Sequence, residues 1–312
     1  MTATFELDVD VTEEHVRISQ FEKAQLKTLY TKSNFPASIH LVVHLALIII
    51  AGTVVSYSTG GPLFFPSMLL MGAFMSFLFA PLHECIHRTA FQTRSVNNIV
   101  ATIAGFVLLL PPIHFRLFHM AHHRWTQIPN RDPELVNKNL NNAWDLLLQI
   151  SGYRYWIGNI KTIIKHAFGR IEESYISSLR KQSISIEARC YLSGYACCLI
   201  ISLYLTSKVL LFYWIIPMLL GQPMLRLFLL AEHALCAFST DMFHNSRTTI
   251  TNSLIRFISW NMSFHSEHHA STAIPFHALP KAHQLLRNHI IDIKPSYASF
   301  HKTLAKTLTH KN

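Results

Sequence analysis

At 312 residues the chain is long enough for one large or two ordinary soluble domains, but half of it is hydrophobic, only 14% is charged and the mean hydropathy is +0.25. That balance weighs against soluble domains and for a membrane protein. The net charge of +10 suits anionic lipid or an acidic protein partner, and no nucleic-acid module accompanies it.

In chain order, residues 1–36 are polar and begin with an acidic stretch (Glu6, Asp8, Asp10, Glu13, Glu14). No cleavable signal peptide is visible, so this reads as a cytoplasmic N-terminal tail and the first span does the targeting. Residues 39–58 and 63–82 are twenty-residue runs without an ionised side chain, each about 30 Å of helix, the hydrocarbon thickness of a bilayer. Residues 99–112 are apolar too, but fourteen residues ending in Pro111-Pro112 are too short to cross and predict a segment that dips in and returns. Through residues 130–189, Trp144, Leu146, Leu147, Tyr153, Trp156, Ile160 and Ile163 interleave with Lys161, Lys165 and Arg170. That pattern fits amphipathic helices lying on the headgroups, or an ordinary cytoplasmic helical cap. Residues 191–207 and 209–230 form a second pair of spans around Lys208; Pro66 in the first pair and Pro217 and Pro223 in the second are tolerated kinks. Residues 281–312 are basic and weakly periodic, a surface helix or frayed cytoplasmic C-terminal tail.

The fold class expected is therefore all-α integral membrane: four transmembrane helices in two hairpins within a membrane domain at 37–280, with a cytoplasmic helical cap and a short re-entrant segment. Of 27 Lys and Arg, only Lys208 falls on the far side, the positive-inside signature of cytoplasmic termini, and a bacterial inner membrane is the expected location. Cys85, Cys190, Cys197, Cys198 and Cys236 fit no disulfide framework and read as free thiols.

Eight histidines carry the chemistry: His83 and His87 in HECIH, His119, His122 and His123 in HMAHH, and His265, His268 and His269 in HSEHH. With 20 histidines in the chain, composition gives roughly 0.08 matches to H-x-x-H-H, yet the pattern occurs twice. On helices, i, i+3 and i+4 spacing puts each cluster on one face, aimed at one point. Imidazole suits iron, copper, zinc and nickel alike, so donors alone leave the metal open. Eight ligands exceed one ion's needs. Two metals beside an apolar interior suggest redox work on a lipid-like substrate, and topology puts all three clusters on the cytoplasmic face.

These boxes, in this order and with two spans between the second and third, resemble the membrane-bound fatty acid desaturase family of non-haem di-iron desaturases, hydroxylases and ketolases. Supporting pieces are the His87-Arg88-Thr89-Ala90-Phe91 continuation, Asp132-Pro133, Asn245-Ser246-Arg247-Thr248-Thr249, Trp260-Asn261-Met262 and Pro275-Phe276-His277-Ala278-Leu279-Pro280. The likeness covers most of residues 82–280. It implies four membrane helices topped by a cytosolic helical cap, two iron ions (Fe2+) held by the eight histidines, and a further ligand at the end of the fourth span, where His233 stands; His244 is the competitor. Three residues between the first-box histidines are as in acyl-lipid and sphingolipid-type branches. His265, where front-end desaturases carry Gln, and the lack of a His-Pro-Gly-Gly haem motif disfavour that class. Thr272 stands where relatives often have Pro.

The resemblance further implies O2 as co-substrate and a lipid or acyl chain into which a double bond is introduced. Hydroxylation or carotenoid ketolation on the same scaffold is the alternative, and a non-catalytic membrane metal-binding protein a third reading. With no iron–sulfur, haem or dinucleotide motif in the chain, electrons come from a separate ferredoxin or cytochrome b5-like donor and a reductase, which the basic face would dock. Asp132 and Asn261 are expected behind the ligands, and Glu84 and Glu267 are candidates to orient them. His40 and His44, at i, i+4, belong to helix packing, and His114 to the turn after Pro112. His277, His283, His289, His301 and His310 face the surface. Arg226 points into the bundle or snorkels.

Overall fold

The computed structural model describes residues 18–135 and 140–309; the acidic N-terminal stretch and His310 lie outside them. In chain order the helices are α1 (Gln20–Thr28), α2 (Asn34–Tyr57), α3 (Phe64–Ser76), α4 (Phe79–His87), α5 (Arg94–Leu108), α6 (Pro112–Trp125), α7 (Ala143–Ile150), α8 (Tyr153–Ala167), α9 (Ser178–Tyr204), α10 (Ile216–His233), α11 (Met242–Asn245), α12 (Ser253–Ile258), α13 (His265–Ala270), α14 (Leu279–Leu286) and α15 (Tyr297–Thr309). The only sheet among the described residues is a parallel pair, β1 (Thr248–Thr249) with β2 (Ile293–Lys294). The protein is an all-α integral membrane fold.

Among the described residues four helical stretches are long and apolar enough to cross a bilayer: Asn34–Tyr57, Phe64–His87, Ser178–Tyr204 and Leu211–His233. They outrun the apolar runs of the sequence, chiefly at the ends that leave the lipid. Hydropathy sees only the lipid-facing part of a helix, whereas backbone hydrogen bonding carries α4 on to His87 and starts α9 at Ser178, before its charged turns. The fourth span opens with a π-helical turn (Leu211–Ile215), which relieves the clash of the Pro217 ring with the turn before it. Close packing joins the hairpins: a Cβ on Gly72 would strike the Pro217 carbonyl and one on Gly221 the Gly72 carbonyl, so α3 and α10 cross nearly backbone to backbone.

The fifth apolar run bends by 93° between α5 and α6. It returns to the side it left, because His87 at its start and His119 at its end have rings 4.9 Å apart. Leu109, in the left-handed region at φ 56°, turns the chain, and Pro112 opens α6 where a missing N–H costs nothing. A helix end inside a membrane leaves carbonyls without partners. Here aromatic donors cap them: Tyr195 Oη bonds the Phe106 carbonyl at 3.0 Å, Trp214 Nε1 that of Val107 at 3.0 Å, and Tyr155 Oη that of Leu108. Phe106 packs against Tyr195 and Trp214, wedging α5 between α9 and the fourth span. At the other end of the turn Glu187 of α9 accepts the Ile113 and His114 N–H groups at 2.8 and 3.1 Å, the service an N-cap residue usually performs.

The segment after the second box forms α7 and α8, which present Trp144, Leu147, Tyr153, Ile157, Ile160 and Ile164 outward, as helices lying on a lipid surface do. The C-terminal segment differs from a frayed tail. α14 buries Leu279, Ala282 and Leu286, α15 buries Phe300, Leu304 and Leu308, and β2 ties the connection to β1. Its apolar residues recur at helical spacing, but their partners are distant in sequence, so periodicity alone reads weakly. The five cysteines are free.

Candidate metal centre

Four helices finish at one place. His83 and His87 occupy the last turns of α4, which stops at Arg88 in the left-handed conformation (φ 62°). His119, His122 and His123 lie in the last two turns of α6, His233 is the final residue of α10, and His265, His268 and His269 fill the short α13. The carbonyl ends of these helices carry partial negative charge, which favours a cation.

The rings sort into two groups. Ring nitrogens of His83, His87, His119, His123 and His268 lie within 4.8 Å of one another, as do those of His122, His233 and His269. His265 Nε2 joins the second group at 2.8 Å from His233 Nε2, which in turn is 3.2 Å from His122 Nε2. In the first group His123 Nε2 sits 2.9 Å from His119 Nε2 and 3.1 Å from His268 Nε2. Every box histidine is thus within one cluster, and His233 belongs to it; His244 instead lies 3.5 Å from Asp241 Oδ2.

Ring orientation is fixed from outside. His122 Nδ1 is 2.9 Å from Asp132 Oδ1, His233 Nδ1 2.9 Å from the Asn245 carbonyl, and His269 Nδ1 3.3 Å from Thr126 Oγ1, so each presents Nε2 inward. Asp132 also accepts the Gln127 and Glu134 N–H groups, both at 2.9 Å. Burial, reinforced by the neighbouring imidazoles, holds His119, His123, His265, His268 and His269 well below the usual histidine range. They are neutral at pH 7, the state a metal requires. Nε2 of His83, His87 and His269 is buried with no hydrogen-bond partner. Dry, unpartnered lone pairs converging in two groups fit two metal ions and are costly without them.

Other expected residues fall elsewhere. Asn261 accepts from Arg256 Nε at 3.2 Å and donates to the Phe276 carbonyl at 3.1 Å; its bonds support the turn before the third box and reach no histidine of the centre. Glu84 accepts from Thr89 Oγ1 and the Phe276 N–H, with Oε1 3.9 Å from His83 Nδ1. Glu267 bonds Thr248 Oγ1 at 2.5 Å and His283, so it braces α14 instead of a box ring. His40 and His44 bond the Phe257 and Phe74 carbonyls at 2.7 and 2.8 Å, a packing role. His289 pairs with Glu22 at 2.7 Å. Thr126, Asn245, Glu134 and Glu232 escape sequence reasoning. Glu134 Oε1 lies 4.0 Å from His122 Nε2 and Glu232 Oε1 3.5 Å from His265 Nδ1, and single carboxylates without spacing leave no pattern to read.

Beside the centre is a cavity of about 300 Å³. His83, His119, His122, His233 and His265 face it, with Phe77, Phe79, Phe115, Phe118 and Phe228 as apolar wall. α8 lines one side with Arg154, Tyr155, Asn159 and Thr162. His114 and Glu173 also line the cavity and, with His166, form a third, smaller group. His166 Nε2 lies 2.9 Å from Glu173 Oε1. Burial and the nearby His166 push His114 down to about 4; Glu173, which burial alone would raise, is held at about 2 by its bond to His166.

A family model described as Fatty acid desaturase matches residues 60–302. The chain is 28% identical over 240 residues to dihydrorhizobitoxine desaturase of Bradyrhizobium elkanii, a stretch covering 70% of this chain and 66% of that one. It is 22% identical over 243 residues to an sn-1 oleoyl-lipid 12-desaturase of a Picosynechococcus species (72% and 69% covered) and 23% over 219 residues to one of Arthrospira platensis (63% and 60%). The matched stretch thus spans about two thirds of the length of these relatives.

Proposed function

Since the chain belongs to the fatty acid desaturase family, we propose that it is an O2-dependent oxidoreductase that introduces a double bond into a lipid or acyl chain at two irons. His83, His87, His119, His123 and His268 would hold one ion, and His122, His233, His265 and His269 the other. The observation that carries this reading is the convergence of nine imidazoles, seven of them buried and several with unpartnered nitrogens, beside a largely apolar cavity that five of them line. An unactivated methylene has no acidic proton, and the chemistry such irons supply when bound is O2-dependent removal of hydrogen that no acid–base pair can perform.

The chain's own residues bind, orient and keep dry. The phenylalanine wall excludes water and holds a methylene chain against the histidine floor. Asp132, Asn245 and Thr126 fix the rings so that the ligand lone pairs need no reorganisation. Electrons would come from a separate ferredoxin or cytochrome b5-like donor and its reductase, docking on a basic cytoplasmic face in a bacterial inner membrane; the charge asymmetry about Lys208 supports that sidedness.

The test is purified protein with measured iron stoichiometry, O2 uptake driven by an added donor, and mass spectrometry of lipids from a producing bacterium. Loss of two hydrogens supports the reading, gain of oxygen assigns hydroxylation or ketolation, and bound metal with no O2 consumption under any donor refutes an enzyme.

A further inference from the structure

We propose that Arg226 anchors an anionic end of the substrate, a carboxylate or phosphate, at the opposite end of the cavity from the histidines. The inference rests on the oxidative reading for what happens at the histidines, but not for the binding it describes.

Arg226 lines the cavity from α10, seven residues before His233, with no proline between them. At 1.5 Å per residue the two positions lie about 10 Å apart along one helix face. The guanidinium lies 4.5 Å over the Tyr155 ring, and the Tyr155 hydroxyl is bonded to the Leu108 carbonyl at the tip of the α5–α6 turn. Its position is therefore fixed by three elements. Yet its Nε is buried without a hydrogen-bond partner, and the group makes no ion pair among the described residues. Arg247, which is fully buried, shows the usual solution: it ion-pairs with Asp292 at 2.6 Å and bonds the Ala231 carbonyl at 2.8 Å.

A cation inside a membrane span without a counterion is costly. Glu134 and Glu232 face Arg226 only at longer range, and both stand beside the histidines, at 4.0 Å from His122 and 3.5 Å from His265. Arg154, paired with Asp145 at 2.7 Å, adds a second cation to the same wall. The cavity lining thus holds, in Arg226, an unsatisfied planar donor, the group best shaped for a carboxylate or phosphate. The separation also limits where oxidation falls. With bonds near 1.5 Å an extended chain advances roughly 1.3 Å per bond, so the reacting carbon lies on the order of eight bonds from the anion.

The test compares equilibrium binding of decanoate, methyl decanoate and decyl phosphate, at equal free concentration, to the purified metal-loaded protein in nanodiscs. The wild type should bind at least one of the two anions tenfold or more tighter than the neutral ester. Arg226→Met should bring that ratio near one at unchanged iron stoichiometry, and Arg226→Lys should keep part of it. Preference for decyl phosphate assigns the ligand to a phosphate headgroup, and preference for decanoate to a free acid; either supports the anchor. Equal binding of ester and anions by the wild type overturns it without any variant, as does a ratio unchanged in Arg226→Met. Discrimination with no O2 uptake under any donor would leave the anchor standing and remove the oxidative reading.

Discussion

Asp132→Asn should empty one half of the centre and spare the other. The carboxylate is 2% exposed and accepts three bonds of 2.9 Å: Oδ1 takes His122 Nδ1 and the Glu134 N–H, and Oδ2 takes the Gln127 N–H. Asparagine can keep its oxygen toward His122, but its amide then meets the Gln127 N–H donor to donor, leaving a buried group unpaired at about 1–3 kcal/mol. Alanine removes both acceptor oxygens with their three bonds and should cost on the order of 3–6 kcal/mol. Loss of the negative charge also weakens His122 as a donor to metal, an effect of about 10–100-fold in affinity. His122 groups with His233, His265 and His269, while Asp132 hydrogen-bonds none of the other five rings. On the proposed reading iron should therefore fall from two per chain to near one when the variant, still folded though melting several degrees lower, is dialysed against a competing chelator and assayed by plasma mass spectrometry. Retention of both ions at wild-type chelator resistance would refute the reasoning, as would loss of both from a folded variant.

Glu187→Ala leaves the Ile113 and His114 N–H groups without their acceptor and should destabilise the protein by about 1–2 kcal/mol, the usual cost of a lost cap; a melting temperature equal to wild type would count against that role. Gly221→Ala drives a methyl group into the Gly72 carbonyl and should cost about 1–3 kcal/mol or more in thermal unfolding, whereas Gly158→Ala, with open space around its Cβ position, should be neutral or slightly stabilising. Acid should unfold the metal-free protein early. Five box histidines outside the spans have folded pKa values depressed below the ordinary 6.5, so stability is full above pH 6.5 and falls as pH drops below it, because the unfolded chain takes up the protons. Unfolding midpoints from pH 8 to 5 should show that slope, and bound metal should move it to lower pH; a flat profile would remove the neutral-imidazole argument.

The histidine boxes are legible because i, i+3 and i+4 spacing survives as text, and the spans because lipid demands long uncharged runs. Asn261 illustrates where text fails: it sits four residues before His265, yet its side chain serves Phe276 and Arg256. The carboxylate that caps α6 is 73 or more residues away in α9, and the aromatic donors covering the end of α5 come from α8, α9 and the fourth span. No local pattern announces such partners, since what selects them is an unpaired backbone group brought near by topology. The α14–α15 segment is the same case in apolar form, with burial decided by distant neighbours.

Charge explains why the ligands sit where helices stop. On the proposed reading, nine imidazole ligands would contribute no negative charge toward two divalent ions, so compensation would come from behind the rings. The carbonyl ends of α4, α6 and α10 supply roughly half a negative charge each. Asp132 stands behind His122, Glu232 beside His265 and Glu134 beside His122. Such a site selects for charge and geometry more than for iron itself, because imidazole binds Zn2+ and Cu2+ at least as well as Fe2+. Protein produced in iron-poor, zinc-rich medium should accordingly carry about two zinc ions at the same nine histidines, with the fold and its acid resistance intact and O2 uptake gone. A centre that rejected zinc under those conditions would require a source of selectivity that neither the rings nor the carboxylates provide.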